Sequence, residues 1–223
     1  MKKKRGVYLV AAFLSIVLYL AGIFTGLNIQ QSLSESLEKD LASIKSDIEN
    51  QQQELILLSL RGKSSCSILQ SLSSTIASKL EAVSNEIRKL ENLEKDSKFN
   101  EFKELYSTLS IRAWILKSSI NENCDTKSLA VLYYYSFPCP ECKEQEDILD
   151  EIKSIDKERI LTYAVDKDVN NNLVQTLVKG HGIEGTPSLV VGDDVYRGFT
   201  NEIKLKDLVC QIINISCPTN STG

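Results

Sequence analysis

Two cysteines separated by two residues, Cys139 and Cys142, constrain more than any other feature what this chain can fold into. They stand in the stretch SFPCPECKEQE, directly after an apolar run and at the start of a segment with helical periodicity. A helix that begins here brings two sulfur atoms within bonding distance across one turn. The spacing alone leaves three interpretations open: a redox-active pair, half of a metal site, or a structural disulfide.

The N-terminus has the pattern of a membrane anchor. Residues 1–6 contain a cluster of four cations, and residues 7–27 are uncharged and strongly apolar. A helix of about 20 apolar residues can span a bilayer, whereas the core of a cleaved signal peptide has only about 7–15. We therefore expect a single transmembrane helix at 7–27 in the cell membrane. The cations should stay in the cytoplasm as a short tail, which places the rest of the chain outside it.

Composition narrows the classes of partner and site. The net charge of the 223-residue chain is −4 and its basic residues are scattered beyond the N-terminal cluster, so we expect no nucleic-acid partner. An even count of six cysteines suits paired cysteines in an exported protein. The single histidine, His181, limits imidazole catalysis and metal binding, and we assign it a packing or surface role.

Residues 28–124 predict an α-helical, coiled-coil-like stalk. Apolar residues recur at helical intervals along three segments, which are separated by breaks near residues 61–65 and 94–98. Short connections favour antiparallel packing of these helices, and a homodimer through the stalk is a further expectation. The second and third helices carry the apolar positions Leu69, Leu72, Ile76, Leu80, Val83, Ile87 and Leu90, and then Phe102, Tyr106, Leu109, Ala113, Leu116 and Ile120.

Two cysteines flank the predicted helical hairpin. Cys66 starts the second helix and Cys124 follows the third, so antiparallel packing brings them together. We predict a Cys66–Cys124 disulfide that closes the base of the hairpin. The alternative is a second redox pair that exchanges electrons with Cys139.

The sequence pattern changes after Asp125 from long helices to alternating strands and helices. The stretch SLAVLYYYS predicts a buried strand, CPECKEQEDILDEIKSI a helix and RILTYAV a second strand. A short helix, a hairpin formed by SLVVG and VYRGF, and a final amphipathic helix follow. The predicted order is β-α-β-α-β-β-α, an α/β domain over residues 127–213 with a tail at 214–223.

Three features of residues 127–213 resemble a thioredoxin-fold domain. They are the strand AVLYYYS, the CPEC that opens a helix, and GIEGTPSLVV, in which Thr186 and Pro187 occupy the cis-proline position of the family. The resemblance implies a central mixed sheet with flanking helices, and a membrane-anchored protein of thioredoxin-like type. It also implies that the Thr186–Pro187 loop faces the sulfurs and binds an extended substrate segment.

The position of the pair at a helix start assigns the chemical roles. The first sulfur lies near free backbone N–H groups and the positive end of the helix dipole, which favour a thiolate. Cys139 is thus the nucleophile and Cys142 the resolving cysteine, Pro140 suits the first helical position, and Glu141 opposes the thiolate. We expect a thiol-disulfide oxidoreductase that acts on protein disulfides through a mixed disulfide, in either direction, with no cofactor.

The resemblance also has departures and implied partners. The buried acid of thioredoxins is replaced by Tyr133, and we place the partnering lysine position at Thr162, so the usual proton relay is absent. The substrates are protein thiols or disulfides, and the family implies a membrane electron-transfer partner that recycles the pair.

Two other interpretations of the pair stay open. Zinc needs a second group of ligands, and no second C-x-x-C exists, so we expect no metal. A structural disulfide in a catalytically retired domain, which serves as a surface tether, is the more serious alternative.

The last helix and the tail hold the remaining cysteines. Cys210 and Cys217 predict a local disulfide, unless Cys210 is an ordinary buried residue. Asn214 and Asn220 start glycosylation triplets, whose use the sequence leaves open.

Overall fold

The computed structural model describes residues 13–23, 66–90, 97–124 and 126–215, together with the isolated positions 39, 42 and 46. The named helices are α1 (Cys66–Leu90), α2 (Ser97–Asn123), α3 (Pro140–Ile155), α4 (Asn172–Gly180) and α5 (Glu202–Ile213), and the strands are β1 (Leu129–Tyr135), β2 (Ile160–Asp166), β3 (Ser188–Val191) and β4 (Asp194–Arg197). The chain divides into two compact units, Met1–Leu55 and Ile56–Gly223.

The predicted fold class is wrong in its membrane-spanning helix. Within the predicted segment at 7–27, the structure describes residues 13–23, which are helical with exposed side chains. Among all described residues, no helix combines the length and the apolar character that are needed to cross a bilayer. The rest of the predicted span, the predicted tail at 1–6, most of the first stalk helix and the break at 61–65 lie outside the described residues.

A four-stranded mixed sheet organises the second unit. The strand order is β2-β1-β3-β4, with β1 parallel to β2 and antiparallel to β3, and β3 antiparallel to β4. The predicted β-α-β-α-β-β-α order of residues 127–213 is confirmed. Strand β1 is central and its residues are nearly all buried, which explains why it reads as a continuous apolar run.

Both faces of the sheet are covered. Alternate residues of β1 point to opposite faces, so Val131 and Tyr133 join a core with α3 and α5. Leu132 and Tyr134 join a second core with α2 and α4. The strand therefore places Tyr133 below the start of α3, where the two cysteines lie.

Helix α2 belongs to the core of the sheet, although the sequence analysis placed it in a stalk. Ile111 is fully buried in the second core, and the Trp114 indole donates a hydrogen bond to the Ala130 carbonyl over 3.2 Å. The predicted fold class is also wrong in placing this helix in a separate stalk. A periodic apolar stripe shows that one face is buried, whereas Leu105 and Ile111 add burial on the remaining faces.

A buried ion pair fixes α2 to the end of β2. The Lys103 ammonium lies 2.5 Å from a carboxylate oxygen of Asp166, whose side chain is only 4% exposed. The Ser107 hydroxyl accepts a hydrogen bond from the Asp166 backbone N–H over 3.1 Å. A buried charge needs such partners, since its desolvation is costly. The helical hairpin and the sheet thus form one packed body.

Candidate active site

The Cys139–Cys142 pair lies at the junction of β1 and α3. Cys139 is the N-cap of α3 and Pro140 follows at its first turn. The two sulfurs form a disulfide, and their Cα atoms are 5.2 Å apart. The backbone N–H of Cys142 donates to Cys139 Sγ over 3.1 Å. Cys139 is half-buried and Cys142 is 6% exposed, so Cys139 is the more accessible of the two cysteines.

The Thr186–Pro187 loop lies against the first sulfur. The peptide bond between these residues is cis, and the Thr186 hydroxyl donates to Cys139 Sγ over 3.7 Å. Ser136 Oγ lies 2.6 Å from Thr186 Oγ1, so the two hydroxyls and the sulfur form a hydrogen-bonded chain. Donors around a sulfur stabilise its thiolate form.

The loop between β1 and α3 exposes an aromatic side chain. Phe137 is 71% exposed and precedes a second cis-proline, Pro138. Glu141 and Pro140 are also exposed on the outer side of the pair. The surface beside the disulfide therefore combines an apolar ring with an acidic group.

Three features decide the fold. They are the central parallel pair of strands, the antiparallel β3–β4 hairpin, and a disulfide at a helix start that faces a cis-proline. The fold is thioredoxin-like. The thioredoxin-like part of the predicted fold class is therefore correct. This fold lies in the region where the sequence resemblance was found.

Solved structures of thioredoxins match the chain at low identity. Thioredoxin-2, described as a component of the malaria parasite protein secretion machinery, is 20% identical, with 38% of this chain and 82% of that chain covered and a TM-score of 0.31. Chloroplastic thioredoxin z is 18% identical, with 43% and 88% covered and a TM-score of 0.34. Thioredoxin Mala s 13 of Malassezia sympodialis is 19% identical, with 39% and 76% covered and a TM-score of 0.33. No family model and no curated protein matches the chain.

Tyr133 occupies the buried position below the pair in this thioredoxin-like domain. Its side chain is 4% exposed, and its hydroxyl donates to the Cys142 carbonyl oxygen over 2.8 Å. Burial, and to a lesser extent the negative charge of Glu146, raise the pKa of Tyr133 far above its ordinary value. The hydroxyl therefore stays protonated and acts as a structural donor at physiological pH.

The strand register shows which residues of β2 lie beside Tyr133 and its neighbours on β1. Ala164 of β2 lies beside Tyr133, whereas Thr162 lies beside Val131. Thr162 therefore lies two residues earlier along β2 than the neighbour of Tyr133. Alanine has no ionisable group, so this neighbour supplies no proton either.

A cavity beside the cysteines was missed by the sequence reasoning. It has a volume of about 580 Å³ and reaches both Cys139 and Cys142. Its far wall comes from the helical hairpin, through Ile87 of α1 and Tyr106 of α2. Both residues belong to the predicted apolar stripes, but no local signal shows that they line the same cavity as the two cysteines.

The other predicted cysteine pairs lie away from this site. Cys66 and Cys124 form a disulfide at the base of the α1–α2 hairpin, with their Cα atoms 5.5 Å apart. Cys210 is buried in α5 and disulfide-bonded, while its predicted partner Cys217 lies outside the described residues. Asn214 caps α5 in the left-handed conformation, and Asn220 lies outside the described residues.

His181 lies at the end of α4 within the second core. Its Nδ1 atom is 2.9 Å from the Tyr134 hydroxyl, and its ring meets the Trp114 ring edge-on. Burial lowers the pKa of His181 below its ordinary value. The neutral ring thus shares a hydrogen bond with the Tyr134 hydroxyl through Nδ1, which accounts for the packing role that the sequence suggests.

Proposed function

We propose that the chain is a thiol-disulfide oxidoreductase that acts on protein thiols or disulfides through Cys139 and Cys142. The observation that carries this proposal is the half-exposed Cys139 sulfur, which receives donors from the Cys142 N–H and the Thr186 hydroxyl. Both donors stabilise the thiolate, which is the attacking and the leaving form of cysteine.

The exchange has two balanced steps. In the reducing direction, the Cys139 thiolate attacks one sulfur of a substrate disulfide, and the other substrate sulfur leaves as a thiolate that takes up a proton. The Cys142 thiol then loses its proton and attacks Cys139, which releases the second substrate sulfur. Two electrons pass to the substrate and the Cys139–Cys142 disulfide forms. The reverse sequence oxidises a substrate dithiol.

The burial of Cys142 supports its role as the resolving cysteine. At 6% exposure its sulfur cannot meet a bulky partner, while it lies within bonding distance of Cys139. The Thr186 backbone beside the cis-proline is the proposed contact for an extended substrate segment. Each turnover leaves the pair in the opposite redox state, so a separate electron-transfer partner must restore it.

Trapping of the mixed disulfide tests the proposal. Reduced Cys142→Ser protein, mixed with a disulfide-bonded protein such as insulin, should retain the substrate in a covalent adduct that disappears under reducing gel conditions. Cys139→Ser is the matched control and should form no adduct. Wild-type turnover of insulin that is no faster than that of Cys139→Ser would overturn the proposal and favour a retired domain that serves as a tether.

A further inference from the structure

The cavity beside the pair is large enough for a bulky side chain. Its volume of about 580 Å³ falls within the range of small-ligand sites, roughly 300–1,000 Å³. Four aromatic rings line it: Tyr106, Tyr133, Tyr135 and Phe137. Because both cysteines also line it, a group that enters the cavity lies next to the sulfur that reacts.

The chemistry of the walls favours an uncharged ring. Burial raises the pKa of both Tyr133 and Tyr135 well above the ordinary tyrosine value, so these hydroxyls stay neutral. Aromatic rings pack against one another edge-on or offset and gain more than buried area alone provides. Phe137, at 71% exposure, leaves a ring at the cavity that an incoming aromatic side chain would cover.

The outer surface beside the cavity favours a charged group instead of an uncharged ring. Helix α3 has six acidic residues against two lysines, and its charged side chains are exposed or lie at the rim. Glu146 and Lys143 both line the cavity and lie 3.5 Å apart. The remaining acidic excess attracts a cationic polypeptide and repels an anionic one.

We propose that this cavity is a substrate subsite, which receives an aromatic side chain that flanks the reacting cysteine of a polypeptide. Basic residues of the same polypeptide lie along the acidic surface of α3. The inference rests on the proposed function and assigns its substrate class. The wall from Ile87 and Tyr106 makes the subsite a product of the helical hairpin as well as of the thioredoxin-like sheet.

Four short peptides test the subsite. Each peptide contains one cysteine, which forms a mixed disulfide with thionitrobenzoate. The residue next to this cysteine is Phe or Ala, and a Lys or Glu follows further along the peptide. Cys139 of the reduced protein attacks the peptide sulfur and releases coloured thionitrobenzoate, and Cys142 then displaces the peptide thiolate. Burial of the ring should make the Phe–Lys peptide about tenfold faster than the Ala–Lys peptide in kcat/KM. Its advantage over the Phe–Glu peptide should be several-fold at low salt and shrink in high salt.

A pair of variants on α1 locates the effect. Ile87→Trp fills the cavity from the wall that the helical hairpin supplies, so it should remove the Phe-over-Ala advantage. Ile68→Trp, at a 43% exposed position of the same helix, is the matched control and should keep the advantage. Circular dichroism checks that both variants fold.

The outcomes separate the subsite from the redox activity. Equal rates for Phe and Ala peptides with the wild-type protein, within about twofold, would overturn the subsite, and so would equal loss for both peptides in folded Ile87→Trp. The comparison of Phe and Ala peptides with the wild-type protein does not depend on the folding of any variant. Release of thionitrobenzoate from the Ala peptides, which carry no aromatic residue, reports the redox activity alone, and release no faster than with Cys139→Ser would reject the proposed function instead.

Discussion

The Tyr133 hydroxyl donates a hydrogen bond to the backbone carbonyl of Cys142 over 2.8 Å, so strand β1 supports the start of the helix that carries Cys142. In this thioredoxin-like domain the buried position supplies a neutral hydrogen-bond donor. Its role is therefore to position the helix start, and deletion of the hydroxyl should be visible in stability.

Tyr133→Phe should lower the free energy of unfolding of the oxidised protein by about 1 kcal/mol, because the buried hydrogen bond is lost while the ring is kept. Urea denaturation followed by circular dichroism measures the change. Tyr196→Phe removes a hydroxyl from a partly exposed ring and should change stability by less than about 0.5 kcal/mol. Equal effects of the two variants would contradict a special role for the Tyr133 bond.

Thr186→Val should slow exchange at neutral pH by about tenfold, since a hydrogen bond to a charged group is worth roughly 1.5 kcal/mol or more. The hydroxyl that donates to Cys139 Sγ is removed, whereas the shape of the side chain is kept. Less stabilisation of the thiolate moves the rise of the rate to higher pH. Stopped-flow rates with a small disulfide between pH 5 and pH 9 give this profile, and an unshifted profile would argue against the bond.

Loss of the Cys66–Cys124 disulfide should destabilise the second unit by about 4 kcal/mol on the chain-entropy estimate for a loop that spans 58 residues. The double variant Cys66→Ser/Cys124→Ser, unfolded in urea with Cys139 and Cys142 kept oxidised, provides the measurement. If the alternative of a second redox pair held, the wild-type disulfide would be reduced together with Cys139–Cys142 by the same reductant. Differential alkylation and mass spectrometry distinguish these results.

Protonation of His181 should weaken the fold in mild acid. The pKa of His181 is lowered in the folded state, so below its ordinary value near 6.5 the unfolded chain binds the proton more readily. Stability due to this residue is thus fully present above about pH 6.5, falls as the pH drops from there, and levels off below the folded-state pKa. Urea midpoints at pH 7.5 and pH 5.5 should differ more for the wild type than for His181→Phe. A difference of the same size in both would contradict the assignment.

Local sequence patterns predict the elements of the thioredoxin-like region well. The continuous apolar run of β1, the proline that opens α3 and the amphipathic last helix each carry their own signal within a few residues. The cysteine spacing and the Thr186–Pro187 dipeptide likewise mark the site, because the chemistry demands residues of fixed type at fixed separation.

The features that could not be predicted from the sequence depend on contacts between distant segments. Ile111 is buried against the sheet by the tertiary fold. The apolar stripe of a helix does not show which surface will cover it. The pairing of Ala164 with Tyr133 is a register, which shifts with any error in the strand start. The cavity joins Ile87 to Cys139 across more than 50 positions of sequence, and only the assembled fold shows it.

The placement of α2 changes where the thioredoxin-like part of this chain can be cut. A fragment that starts at residue 127 retains strands β1 to β4 but loses Ile111 and Trp114, which pack on one side of the sheet. That apolar side would then face water, and such a fragment should aggregate in expression. A fragment that keeps both sides of the sheet covered must include α2 and so start ahead of Ser97, and it keeps the Ile87 wall of the cavity only if it also includes α1.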